Sequence, residues 1–232
     1  MKKAYILISA TVCILLLAGC TKIPDAQTVL EELPIDSSMI QEDLSIDDLS
    51  NMNGGDVEII RDPLTNIPRQ INGIFSSQLI LTPNDAVLAL MSVRSVMHIS
   101  GQSFSLIDIE DRTDLRVFTL EQLYCGIPVE NGLFRVIATN DGIPISVQGT
   151  YQQGIELDIV PKISEEKSRE MVVLSIGTKI ESISLVIFTM DDNTIHLSWK
   201  YNVTSTDVLK NKITYIDATD GYILSEIATS IE

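Results

Sequence analysis

The sequence predicts an α+β fold of two small units in tandem, each a helix packed on an antiparallel β-sheet. Three observations predict it. A helix start at Thr82-Pro83-Asn84-Asp85 is followed by four strand-like runs, and a second start at Ser164-Glu165-Glu166 is followed by four more. Turn signals such as Asn140-Asp141-Gly142 separate the runs. Several runs alternate apolar and polar residues with a period of two, as in a sheet with one buried face and one wet face.

The first helix is argued from its cap. Thr82 suits the N-cap, Pro83 the first helical position, and Asp85 meets the positive end of the helix dipole. Ala86, Leu90, Val93 and Met97 recur at helical spacing with Ala89 and Val96 beside them, and Gly101 supplies a stop. Strands follow at 104–109, 115–123, 133–139 and 143–151. Pro144 belongs at an edge or at a strand start. Between the second and third strands stands YCGIPVENG (124–132), punctuated by Gly126, Pro128 and Asn131-Gly132. It is longer than a bare hairpin turn.

The second unit repeats the plan. Glu165 and Glu166 occupy the first turn of a helix that Gly177 closes. Strands are expected at 182–190, 195–203, 212–217 and 222–228. Ile195, Leu197, Trp199, Tyr201 and Val203 form the buried face of one of them, and His196, Ser198, Lys200 and Asn202 the wet face.

Ahead of both units the chain reads differently. Lys2 and Lys3, the apolar stretch 4–17 and Leu17-Ala18-Gly19-Cys20 form an export signal too short for a membrane span. Leu-Ala-Gly-Cys resembles the bacterial lipobox, which implies cleavage after residue 19 and lipid on Cys20. An ordinary signal or an uncleaved anchor is the competing reading. Residues 20–62 are expected to be an acidic flexible tether, because 25–58 hold many acids and no Lys or Arg and are broken by Pro34, Gly54 and Gly55. Such a chain spans roughly 30–35 Å root-mean-square. A motif that folds on a partner is the alternative. The resulting domains are 1–19 signal, 20–62 tether, 63–153 first unit and 154–232 second unit.

Charge excludes some functions. A formal net charge of −16 opposes binding to nucleic acid and electrostatic docking on anionic lipid. With Cys13 leaving in the signal and Cys20 carrying lipid, Cys125 has no internal disulfide partner. Its place in a strand-to-turn stretch points to burial, with intermolecular chemistry as the other reading.

Gln122-x-Tyr124-x-Gly126-Ile127-Pro128-Val129 followed by Gly132 resembles the Q-x-Y-x-G-[IV]-P-V-x-G signature of the fungalysin/thermolysin propeptide family. Asn131 places Gly132 one residue later than the common form. Ile143-Pro144-Ile145-Ser146-Val147-Gln148-Gly149 is similar to a later piece of that family. The stretches 197–203 and 215–224 resemble the PepSY domain that often follows in such propeptides, which has a cystatin-like plan. The resemblance implies a prosegment-type protein that binds a metallopeptidase, either inhibiting it or assisting its folding.

No H-E-x-x-H appears, so catalysis by this chain is not expected. His98 and His196 lack ligand-like spacing. Asp191-Asp192-Asn193 and Asp217…Asp220 read as turns rather than calcium loops. Neither catalytic residues, nor a metal, nor a cofactor are expected; the expected partners are the membrane, through Cys20, and an extracytoplasmic metallopeptidase. The alternative is a cell-envelope structural or assembly factor with no peptidase partner.

Overall fold

The computed structural model describes residues 32–40, 42–101, 103–172 and 177–229. The signal, the lipobox and Cys20 lie outside these residues. Among the described residues the architecture is α+β, with ten strands and few helices, and all strand pairings but one are antiparallel.

Order begins earlier than the sequence suggests. Within the expected tether, α1 (Ile46–Asn53) is capped by Ser45, whose hydroxyl accepts from the Asp48 amide while the Asp48 carboxylate returns to the Ser45 amide. Leu49 is fully buried, and β1 (Glu58–Arg61) pairs with β2 (Pro68–Asn72). The flexible-tether reading is thus corrected for 32–62. Sparse Leu and Ile residues there bury themselves on a distant surface, which outweighs local charge repulsion.

Thr82 caps α2 (Pro83–Met91) and Pro83 lies in its first turn, as the sequence predicts; Asp85 in addition closes a reciprocal box with Thr82. The helix is shorter than expected. It ends at Ser92, whose hydroxyl donates to the Phe75 and Ala89 carbonyls, and residues 92–98 continue as turns. His98 therefore sits at φ 56, not at a helix C-terminus.

β3 (Phe104–Asp111), β4 (Leu115–Tyr124), β5 (Ile127–Thr139) and β6 (Pro144–Gly149) form a meander, and Pro144 starts its strand. The punctuated stretch is not a long turn. Tyr124 faces Ile127 across a two-residue turn, with Cys125 at φ 51 and Gly126 at φ 80, as a primed hairpin requires. The remaining residues form an irregularity inside β5, where Asn131 takes φ 64. A Cβ on Gly132 would lie 2.9 Å from the Gln122 side chain and 3.1 Å from the Val129 carbonyl, so the close approach demands glycine.

The expected helix 164–177 is observed as α3 (Glu165–Arg169), with residues 173–176 outside those described. β7 (Thr178–Thr189), β8 (Ile195–Ser205), β9 (Lys212–Asp217) and β10 (Ile223–Ala228) follow as an antiparallel run. A parallel contact, Val129 with Ile187, joins β5 to β7, and the strand order is β1-β2-β6-β5-β7-β8-β9-β10.

Two main apolar clusters result. The first holds Phe75, Leu90, Phe104, Phe118, Phe134 and Val136. The second holds Ile127, Val129, Leu185, Trp199, Tyr201 and Ile216. β5 belongs to both, so the expected boundary at 153/154 does not follow the packing; the cores change over within β5. Tyr201 is fully buried and bonds the Ser168 hydroxyl, and Trp199 Nε1 donates to the Ile163 carbonyl at 2.8 Å, fastening the α3 segment to the sheet.

Candidate interaction edge

The strand order ends in β1 and β10, and β3, off this path, pairs with β4 and is bridged by Glu32 on its other side. β1 has four residues, a register shift at Ile60/Arg61 and charges at Glu58 and Arg61, devices that blunt an edge. β10 is longer and pairs, among the described residues, with β9 alone. Its sequence, ILSEIA, carries two β-branched isoleucines. Asp217 positions it: the carboxylate accepts the Thr219 amide at 2.6 Å, and Gly221 at φ 83 turns the chain back. Tyr222 is 73% exposed, and Ile223 and Ile227 are each 45% exposed. Apolar side chains thus stand beside unpaired backbone groups.

A hollow flanks each end of β10. One, of about 220 Å³, is lined by Phe188, Met190, Asp191, Asp192, Leu224 and Ser225. Behind it Phe188 stacks on Tyr215 with ring centroids 4.0 Å apart. The other, of about 300 Å³, is lined by Thr178, Leu209, Lys210, Lys212, Glu226 and Ala228. They open on opposite faces, because Leu224 packs on the Tyr215 side while Glu226 bonds Lys212 and Thr214. An extended segment added to β10 would send alternate side chains to these two faces.

The reverse face of β8, expected to be wet, is largely covered. Ser198 is buried with an unpaired hydroxyl. Lys200 Nζ bonds both oxygens of Glu130 at 2.8 Å, with side chains 21% and 17% exposed, and lies 5.9 Å from the Tyr215 ring centroid. Burial raises the Glu121 carboxyl above the ordinary glutamate range; Glu130 adds to this and Lys200 opposes it. Burial first, then Glu130, raises the Tyr215 hydroxyl well above the usual tyrosine range. This cluster ties β4 and β5 to β8 and β9.

His196 is held at both nitrogens, Nδ1 to Asp217 at 2.7 Å and Nε2 to the Thr194 hydroxyl at 3.1 Å. The Thr194 hydroxyl donates to Asp192 at 2.6 Å, and this bond leads the causes that lower the Asp192 pKa. These bonds link the turn at 191–194 to the turn that begins at Asp217.

Other sequence candidates fall in separate places. His98 is exposed beside α1, and Asp191-Asp192-Asn193 forms a turn with Asn193 at φ 66. Among the described residues no group of three His, Cys, Asp or Glu is placed to hold a metal. Cys125 is half-buried against the second cluster. Glu121 and Glu130 give no signal in the sequence, because each reads locally as an ordinary polar position, and Lys200 reads there only as one of the wet residues of its strand.

No family model and no curated protein matches the chain. Among solved structures, the Bacillus megaterium YpeB C-terminal domain is similar at 17% identity and a TM-score of 0.37, covering 80% of this chain and 97% of that one.

Proposed function

We propose that this chain is a non-enzymatic, protein-binding module of the bacterial cell surface. It is anchored by lipid on Cys20 and modulates a secreted or surface peptidase, by inhibition or by assisting its folding. The motif resemblance to fungalysin/thermolysin propeptide and PepSY units in tandem supports this reading. The observation that carries it is the open β10 edge, where exposed Tyr222, Ile223 and Ile227 lie between two hollows on opposite faces. Such an edge recruits an extended segment through backbone hydrogen bonds, with alternate pockets setting specificity.

The test is capture of exported peptidases by the tagged protein, with proteolysis measured in its presence. Ile223→Lys and Ile227→Lys place charge on the exposed edge and should abolish capture without loss of the folded state. Absence of any retained peptidase, or retention undiminished in both variants, would refute the proposal. Lipid on Cys20 is tested separately by mass spectrometry of the N-terminal peptide and by release of Cys20→Ser from membranes.

A further inference from the structure

Residues 32–40 and 42–53 lie along the first cluster as a strap. We infer that the surface beneath it, formed by the end of α2, the turns 92–98 and the edge of β3, is a binding site for an acidic amphipathic segment. The strap is its exchangeable resident ligand.

Burial separates strap from body. Of the nineteen buried residues of the first cluster, Leu49 alone comes from the strap, and every other comes from Ile71 onward. Leu33, Ile35, Ile40 and Leu44 are only partly buried against it. A hollow of about 300 Å³ remains between the two, lined by Leu44, Ser45, Arg61, Val96 and His98 among others. One anchor on an otherwise complete core is the pattern of a docked segment.

The polar contacts read the acidic pair Glu42-Asp43. Arg94 meets the Asp43 carboxylate at 3.1 Å and donates to the Glu42 carbonyl at 2.8 Å. Ser95 bonds Asp43 through its hydroxyl at 2.7 Å and its amide at 3.2 Å, and the Ser77 hydroxyl donates to Glu42. The Leu44 amide donates to the Ser92 carbonyl at 2.7 Å. Further back, Glu32 pairs with Ser105 and the Leu33 amide donates to Phe104, so the strap also covers the edge of β3. The strap ends at Gly54, the C-cap of α1 at φ 68, and Gly55, where the chain is open to solvent on the Cβ side. The recognised chemistry is an acidic pair followed by leucine and a short capped helix with one apolar anchor.

The experiment places a specific protease site between Gly54 and Gly55 of the full chain and cuts it after folding. The strap should stay bound after the cut, and a labelled peptide of residues 31–54 should replace it saturably. Asp43→Asn in the peptide should weaken binding by about tenfold, the scale of one charge-assisted contact, and added salt should weaken the parent peptide. A peptide of scrambled sequence should not bind. Unfolding on cleavage, a strap that no peptide displaces, or equal binding of parent, Asp43→Asn and scrambled peptides would each overturn the inference.

Discussion

Lys200→Met tests whether the cluster on the reverse face couples the two halves of the sheet. Lys200 is the cation facing Glu130 at 2.8 Å to both oxygens, and it opposes the rise in the Glu121 pKa. Its removal leaves two carboxylates facing each other beside Tyr215 in partial burial. Breaking a fully buried pair costs about 3–5 kcal/mol. These side chains retain about a fifth of their exposure, so water offsets part of that cost and about 2–3 kcal/mol is expected. Urea unfolding at neutral pH, followed by the fluorescence of the single tryptophan, Trp199, and by circular dichroism, measures it. Glu130→Gln in the Lys200→Met background should recover about 1 kcal/mol or more, because one of the two carboxylates and their mutual repulsion are gone. A loss below about 0.5 kcal/mol, with additive single and double variants, would refute the coupling.

Glu121→Gln should raise the melting temperature at neutral pH. The folded-state pKa of Glu121 is raised, so its contribution to stability is present in acid and lost as pH rises through that pKa; glutamine mimics the protonated form, and the gain should vanish below the ordinary glutamate range. Gln122→Leu removes two bonds to the Gln152 backbone, at 2.9 and 2.8 Å, and should cost about 2 kcal/mol in urea unfolding. Hydrogen exchange should report faster loss of the Gln152 amide proton. Ser198→Ala deletes a buried hydroxyl without a partner and should be neutral or stabilising by up to about 1 kcal/mol in thermal unfolding; a clear destabilisation would show that the hydroxyl has a partner.

The strands from β3 to β10 were legible because each is a local pattern repeated along the chain, whereas β1 and β2 were not. Leu197, Trp199, Tyr201 and Val203 alternate in sequence and are all buried on one face. The Thr82 cap was legible for the same reason, since it and Asp85 lie within the first turn. The β10 edge was legible as a strand, but not as an edge, because strand order is a long-range property.

By itself, then, the sequence determined the helix cap, the alternating strands and the turns, all features whose energetics lie within a few residues. Tertiary structure decided the rest. Leu49 is buried because a surface built from Ile71 onward receives it, which no reading of an acidic, interrupted segment reveals. Gly132 is required because Gln122 approaches it across the sheet, and β5 serves two cores because its first residues meet β7. The pairing of Lys200 with Glu130 likewise joins residues seventy positions apart, brought together only when the whole sheet has formed.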